Sequence, residues 1–123
     1  LITGGFGGLG YKTAEWLIKN GVRNLVLTGR KGADTDEKRS ICTNLEKLGA
    51  TVHPMVCYSS DATAVEELIH KIQSTMPPLK GIIHSGAVIL DQPIAEIDEN
   101  TLKQVMRSKA LGAWHLHNAT RQL

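Results

Sequence analysis

The hydrophobic positions of the chain fall into two alternating patterns. Short, nearly continuous apolar runs are typical of strands that are buried on both faces of a parallel sheet. Between these runs, apolar residues recur every three or four positions, which is the spacing of an amphipathic helix. Four strands are predicted, at 1–2, 24–28, 51–57 and 81–85.

Because strand and helix alternate four times, the connections are expected to be right-handed crossovers between parallel strands. The pattern predicts an α/β fold, a Rossmann-type doubly wound parallel sheet of which this chain forms a part, with strand order 3-2-1-4. Pro54 lies inside the third strand and cannot donate a ladder hydrogen bond, which places that strand at the sheet edge.

Each predicted helix has an apolar face that we expect to lie in the core. These faces comprise Leu9, Ala14, Leu17 and Ile18 in the first helix, Ile41, Leu45 and Leu48 in the second, and Val65, Leu68, Ile69 and Ile72 in the third. Tyr11 and Trp16 flank the first face and are interpreted as packing residues. The last helix is expected to pass Leu102, Val105 and Met106 toward Lys109, and then Trp114 and Leu116.

Acidic residues mark three of the helix starts. Asp34-x-x-Glu37 has the spacing of a capping box and predicts the start of the second helix. Asp61 and Asp98 are expected to be the N-caps of the third and last helices, since a short side-chain oxygen accepts from the first free amides.

Five glycines stand between the first strand and the first helix, in Leu1-Ile-Thr-Gly-Gly-Phe-Gly-Gly-Leu-Gly10. The stretch satisfies Gly5-x-Gly7-x-x-Gly10 and also Thr3-Gly4-x-x-x-Gly8-x-Gly10. A glycine turn lets backbone amides approach a phosphate, and the helix start behind it adds roughly half a positive charge. The turn after a strand therefore predicts a dinucleotide site. A purely structural turn is the alternative.

The end of the second strand indicates which nucleotide is held. A site that prefers the cofactor without a 2′-phosphate places an acid there to accept from the ribose hydroxyls. Here Leu27-Thr-Gly-Arg30 carries no acid, and the Arg30 guanidinium could meet a 2′-phosphate with a planar set of donors. NADPH is therefore favoured over NADH. The alternative is that Arg30 is only a solvated loop cation.

Composition and residue spacing exclude several classes of binding partner. With 123 residues, 41% of them hydrophobic, and a net charge of +2, the chain fits one domain without a basic tract for nucleic acid. No apolar stretch is long enough for a membrane span, so we expect no membrane partner. Two distant cysteines favour a cytoplasmic setting. No metal site is expected, because His115 and His117 point to different sides of one helix.

Four stretches then carry a family resemblance. They are Thr3-Gly-Gly-Phe-Gly-Gly-Leu-Gly10, Leu25-Val-Leu-Thr-Gly-Arg30, Gly81-Ile-Ile-His-Ser-Gly-Ala87 and Lys109-Ala-Leu-Gly-Ala-Trp-His-Leu-His117. In this order the chain resembles the first half of a ketoreductase domain of modular polyketide synthases and animal-type fatty acid synthases. These domains belong to the short-chain dehydrogenase/reductase superfamily. Lys109 is predicted to lie on a helix, at a place where ordinary members of the superfamily have Asn. In this respect the chain resembles the ketoreductase branch.

The resemblance implies NADPH as cofactor and gives each matching residue a role. The cofactor-binding set is Thr3, Gly4, Gly5, Phe6, Gly7, Gly8, Leu9 and Gly10 at the pyrophosphate, Arg30 at the 2′-phosphate, and Ser85, Gly86 and Ala87 along the nucleoside. Lys109 is the implied catalytic residue, since an ammonium near the family's tyrosine lowers the pKa of that phenol.

Some positions depart from the family pattern. Tyr58 and Ser59 stand where the family has an Asp that holds adenine; Tyr58 could stack on the base, donate a hydrogen bond to it, or only pack. Ile89-Leu-Asp91 lies where one stereochemical class has Leu-Asp-Asp, and only the final Asp matches, so the stereochemistry stays open.

The implied function is reduction of a β-ketoacyl group, carried by an acyl carrier protein, beside the other domains of a synthase. Leu1 lies inside a strand and Leu123 at a helix end, so residues 1–123 are expected to be an NADP-binding half cut at both ends. The family's catalytic Ser and Tyr would follow Leu123, so the chain alone is expected to be inactive. A non-catalytic reductase-like subdomain and a nucleotide-binding sensor are the alternatives.

Overall fold

A computed structural model describes residues 1–123 as a four-stranded parallel sheet with helices on both faces. The strands are β1 (Ile2–Thr3), β2 (Asn24–Gly29), β3 (Thr51–Val56) and β4 (Ile83–His84). The helices are α1 (Gly8–Lys19), α2 (Asp36–Lys47), α3 (Ala62–Thr75), α4 (Glu99–Met106) and α5 (Gly112–Thr120). A short 3₁₀ turn (Ile94–Glu96) precedes α4, and a π-helical turn (Arg107–Leu111) joins α4 to α5.

The strand order is β3-β2-β1-β4, and every neighbouring pair is parallel. The predicted doubly wound sheet and its order are therefore confirmed. β3 pairs only with β2, with Pro54 opposite Leu27, so Pro54 does lie on an edge strand. From β1 the chain adds β2 and β3 on one side and β4 on the other, so a crevice opens beyond the carboxyl ends of β1 and β4, where sheets of this kind bind ligands.

Two hydrophobic clusters form the core, one on each face of the sheet. Leu25 and Leu27 of β2 belong to the cluster under α1 and α2, whereas Val26 belongs to the cluster under α3 and α5. This split follows from the alternation of side chains along a strand. All four predicted core residues of α3 are buried, at 5% exposure or less.

Leu9 and Leu48, which were expected in the core, are largely outside it, and so is Trp16, which was expected to pack beside the first helical face. Leu9 is 73% exposed, since it lies on the side of α1 opposite buried Ile18, about 180° around the helix. Trp16 is 61% exposed, since it lies about 200° around the helix from buried Ala14. Leu48 is 45% exposed because it caps α2 after the helix has ended, and Cys42 takes the buried place instead.

Two of the three predicted caps are confirmed. Asp61 accepts from the amide of Ala64 at 3.1 Å, and Asp98 accepts from that of Thr101 at 2.7 Å. The predicted capping box at Asp34 is wrong: the hydroxyl of Thr35 caps α2, and the carboxylate of Asp34 accepts from the Lys38 ammonium instead. The hydrogen bond with Lys38, in the first turn of α2, thus takes the place of a capping bond from the helix amides to Asp34.

Candidate functional site

The glycine turn links the end of β1 to the start of α1 at the mouth of the sheet. Gly7 is the N-cap of α1 and, having no side chain, offers no oxygen to the first amides of the helix. No acidic residue lies in the first turn of α1 either. The first amides of a helix have no partner within the helix, so this end of α1 carries positive potential toward the crevice.

Three of the glycines are explained by the packing of the chain itself. Gly4 has φ +64°, and a Cβ there would lie 2.8 Å from the amide nitrogen of Gly86. A Cβ on Gly5 would lie 2.9 Å from the Leu27 side chain, and one on Gly10 would lie 2.4 Å from the Gly4 carbonyl oxygen. These glycines let the turn, β2 and α1 approach closely.

Gly7 and Gly8 are different. A Cβ on Gly7 would come no closer than 3.3 Å to another atom, and one on Gly8 would meet nothing within 4 Å. Both residues are exposed, and Gly7 has an extended backbone with φ −82°. Protein packing therefore does not require glycine at Gly8.

A cleft of about 500 Å³ opens in front of the turn. Ten of the predicted cofactor-binding residues line it: Thr3, Gly4, Phe6, Gly7, Arg30, Tyr58, Ser59, Ser85, Gly86 and Ala87. Gly5, Gly8, Leu9, Gly10 and Lys109 are not in its wall. A slightly larger hollow of about 550 Å³ lies at the opposite end of the strands, but none of the predicted residues line it.

Two cations line the cleft beside the end of β2. Arg30 directly follows β2 and is exposed, and Lys38 reaches the cleft from the first turn of α2. The Lys38 ammonium lies 2.5 Å from a carboxylate oxygen of Asp34 and 6.0 Å from the centre of the Phe6 ring. The hydrogen bond from Lys38 lowers the pKa of the Asp34 carboxyl.

The loop after β3 forms another part of the cleft wall. Tyr58 is 49% exposed there, and the carbonyl oxygen of Ser59 accepts from Nδ1 of His115 at 3.0 Å. Burial raises the pKa of the neighbouring Cys57 thiol to about 11. Cys57 and Cys42 are both buried and free, as expected for small apolar side chains.

The two residues that follow β4 are tied to the end of β1 by three hydrogen bonds. The Ser85 hydroxyl donates to the carbonyl oxygen of Thr3 at 2.6 Å, and the Ser85 amide donates to the same oxygen at 3.2 Å. The amide of Gly86 donates to the Thr3 hydroxyl at 3.3 Å. The hydroxyls of Thr3 and Ser85 are thus engaged within the protein, so these residues shape the cleft floor.

Lys109 lies on the π-helical turn between α4 and α5 and is exposed. Its neighbours Arg107 and Ser108 line the cleft, together with Gln104. Single π turns inside α-helices are frequent at functional sites.

The chain matches the model of one protein family, the KR domain, over residues 1–123. The chain belongs to the KR (ketoreductase) domain family. KR domains of polyketide synthases are oxidoreductases with a Rossmann-like fold, and domains of this type bind a nicotinamide cofactor. The family resemblance is therefore confirmed.

Relatives in polyketide synthases cover nearly all of this KR chain. The partially reducing polyketide synthase men1 of Menisporopsis theobromae is 34% identical over 120 residues, which are 98% of this chain and 5% of that protein. Erythronolide synthase EryA2 of Saccharopolyspora erythraea is 37% identical over 121 residues, 98% of this chain and 3% of that protein. The chain thus spans a small part of the length of these relatives.

Solved ketoreductases share the fold of this KR chain. An N-terminal ketoreductase from the macrolactin assembly line superposes with a TM-score of 0.92 at 34% identity, covering 98% of this chain and 25% of that one. A-type ketoreductases from a modular polyketide synthase give a TM-score of 0.88 at 36% identity, covering 99% and 26% respectively.

Several residues of the KR cleft were not anticipated from the sequence. They are Thr28, Gly29, Lys38, Cys57, Ser60, Val88, Gln104, Arg107 and Ser108. Lys38 comes from the first turn of α2, and a basic residue in that turn, close to the predicted Arg30, was the available signal. No three His, Cys, Asp or Glu side chains gather as a metal site. None of the helices is both long and apolar enough to cross a bilayer.

Proposed function

We propose that this chain is the NADPH-binding part of a ketoreductase that reduces a β-ketoacyl group to a β-hydroxyacyl group. The acyl chain is carried by an acyl carrier protein of the same multidomain polyketide or fatty acid synthase, in the cytoplasm. Within it, residues 1–123 supply the cofactor cleft and the catalytic Lys109.

One observation carries the proposal. The uncapped start of α1 and the cations Arg30 and Lys38 meet at one cleft at the mouth of a parallel sheet. A dinucleotide with a 2′-phosphate presents two anionic groups, and this cleft offers positive potential at two places. No Asp or Glu lines the cleft, and the Asp34 carboxylate accepts from the Lys38 ammonium, so no carboxylate of the cleft wall repels a 2′-phosphate.

The roles of the cleft residues follow from their places. The turn 3–10 surrounds the pyrophosphate, and its Gly7 and Gly8 leave backbone amides without a Cβ in front of them. Arg30 pairs with the 2′-phosphate as a bidentate donor. Ser85, Gly86 and Ala87 lie along the nucleoside. Tyr58 and Ser59 stand at the adenine, where the half-exposed phenol has room to stack on the base.

The bound nicotinamide would supply hydride for the β-carbonyl. The contribution of this chain is to hold the cofactor and to place an ammonium, that of Lys109, near the ribose and the family's tyrosine. A cation beside that phenol lowers its pKa and favours proton transfer to the forming alkoxide oxygen.

Two features support this function over a purely structural subdomain. Packing within the chain does not require glycine at Gly8, and Arg30 makes no hydrogen bond or ion pair in the structure. A supporting element would have no use for either residue, whereas a dinucleotide uses both.

The test is reduction of a β-ketoacyl thioester by the full-length protein. We expect consumption of NADPH and formation of the β-hydroxyacyl product, and Lys109→Met to lower kcat by roughly 10²-fold, as loss of assisted proton transfer does. Lys103→Met is the matched control, since Lys103 pairs with Glu99 on the surface of α4. NADPH binding without reduction would indicate a sensor, and absence of binding would indicate a structural subdomain.

A further inference from the structure

His84 joins the glycine turn to the helix that carries Lys109. The ring lies at the end of β4 and contacts two distant parts of the chain. Nδ1 lies 2.6 Å from the hydroxyl oxygen of Thr3, and Nε2 lies 2.9 Å from the carbonyl oxygen of Ser108. No role for this histidine follows from cofactor binding alone.

The hydrogen-bond partners of the His84 ring indicate which ring nitrogen carries a hydrogen. A carbonyl oxygen only accepts, so Nε2 must carry the hydrogen that it shares with Ser108. The Thr3 hydroxyl already accepts from the amide of Gly86 and has its own hydrogen free to donate to Nδ1. The bonds therefore run in one direction, from Gly86 through Thr3 and the His84 ring to Ser108.

The π-helical turn is what makes Ser108 available as the acceptor. The amide of Gly112 donates to the carbonyls of Arg107 and Lys109, and not to that of Ser108 four residues back. The Ser108 carbonyl accepts from His84 instead. The Ser108 side chain also holds the turn, since its hydroxyl accepts from the amide of Val88 at 3.2 Å.

The helix comes as close to the ring as a glycine permits. A Cβ on Gly112 would lie 3.1 Å from Nε2 of His84 and 2.8 Å from the hydroxyl oxygen of Ser59. His84 thus lies between Thr3 at the end of β1 and the π-helical turn with the start of α5. Lys109 is the residue that follows Ser108 on that turn.

We propose that His84 is a positioning residue. It sets the place of the Lys109 turn relative to the glycine turn, and it does so by the donor at Nε2 and the acceptor at Nδ1. The effect on catalysis rests on the proposed ketoreductase function, whereas the hydrogen-bond chain does not.

Two conservative variants separate the two ends of the ring. The amide of His84→Asn ends where Nδ1 stood, so it can still accept from Thr3 but cannot reach Ser108. The longer side chain of His84→Gln can still donate toward Ser108 but loses the acceptor for Thr3. His70→Asn and His70→Gln are matched controls, because His70 is exposed on α3.

The experiment measures kcat and the KM for NADPH in the full-length protein. We expect His84→Asn to lower kcat by about tenfold or more with little change in KM, since small misplacements of a catalytic group are costly. We expect His84→Gln to raise KM and to leave kcat nearly unchanged. A loss that is the same in both variants and follows their melting temperatures would overturn the proposal, since that is the behaviour of a packing residue.

A second readout needs no catalysis. The ring ¹⁵N spectrum of His84 in the wild-type protein should show hydrogen on Nε2 only, and Thr3→Val should shift the Nδ1 signal. Amide exchange at Gly112 should rise in His84→Asn more than in His84→Gln. A protonated Nδ1, or equal exchange in the two variants, would refute the positioning role. If the wild-type protein does not reduce the thioester, the proposed function fails and these two measurements still decide the role of His84.

Discussion

Replacing Gly8 and Gly10 by alanine separates the proposed ligand-binding role of the glycine turn from its structural role. Gly8 is the first residue of α1, and a Cβ there would meet no atom within 4 Å. A Cβ on Gly10 would lie 2.4 Å from the carbonyl oxygen of Gly4 and 2.8 Å from the Cα of Gly5. The two substitutions add the same methyl group on the same helical turn, with opposite consequences.

The structure gives the expected size of each effect. Alanine is favoured over glycine by about 1 kcal/mol in a helix interior, so Gly8→Ala should keep or slightly raise the free energy of unfolding. If the new methyl group blocks one charge-assisted hydrogen bond to the pyrophosphate, about 1.5–3 kcal/mol of binding is lost. This loss corresponds to a Kd for NADPH that is roughly 10- to 100-fold higher.

Gly10→Ala should instead lower stability, because both atoms that the methyl group meets belong to the backbone and cannot rotate away. Overpacking of this kind costs about 1–3 kcal/mol. Urea unfolding and an NADPH titration on both variants measure the two quantities. Gly81→Ala is the control, since Gly81 also has open space around it and lies in the hollow at the opposite end of the strands.

One result would refute this reasoning directly. If Gly8→Ala bound NADPH as tightly as the wild-type protein, the turn would have to be interpreted as a structural connection. A large loss of stability in Gly8→Ala would mean that the space in front of α1 is occupied by protein.

Three further predictions concern Gly112, Asp61 and Cys57. Gly112→Ala should lower the melting temperature and reduce NADPH affinity, because its Cβ would displace Ser59 and His84; a variant with unchanged melting and affinity would contradict the tight packing found there. Asp61→Ala should cost about 1 kcal/mol in urea unfolding by removing the cap of α3, whereas Asp61→Asn should retain most of it. The Cys57 thiol should resist alkylation at pH 9.0 in the folded protein, because burial raises its pKa to about 11. The thiol of the unfolded chain ionises near pH 9.0, so the free energy of unfolding should decline between pH 9.0 and about 11. Urea midpoints measured over this range should decline less in Cys57→Ala. Rapid alkylation of the folded protein would contradict the burial of the thiol.

The sheet order and the helix starts at Asp61 and Asp98 were predictable because they depend on local patterns. Alternating apolar runs leave few topologies, and a short acid before an apolar periodic stretch has few other uses. The same reasoning failed at Asp34. The Lys38 ammonium competes with the helix amides for the Asp34 carboxylate, and a capping motif read from the sequence does not include that competition.

The exposure of Leu9 shows a different limit. Leu9 was assigned to the buried face as an apolar residue at the helix start, although at 100° per residue it lies about 140° around the helix from Ala14 and 180° from Ile18. Gly10, which lies about 40° from Ala14, takes the buried place in that turn.

The candidate site was predictable where motifs name residues and unpredictable where the fold brings distant residues together. Ten predicted cofactor-binding residues do line one cleft, because their motifs stand at the carboxyl ends of the strands. The π-helical turn that carries Lys109 and the contact of His84 with Ser108 had no sequence signal, since the contact joins β4 to a turn 24 residues further along the chain.

The binding preference between NADPH and NADH tests the central claim most directly. Titrations of the full-length wild-type protein, of Arg30→Ala and of the neighbouring control Lys31→Ala would compare the two Kd values in each. The cleft described here predicts that the wild-type protein and Lys31→Ala bind NADPH more tightly than NADH. It predicts that Arg30→Ala loses roughly tenfold or more of that preference, as loss of a charge-assisted pair implies. Equal affinities in the wild-type protein, or an unchanged preference in Arg30→Ala, would contradict it.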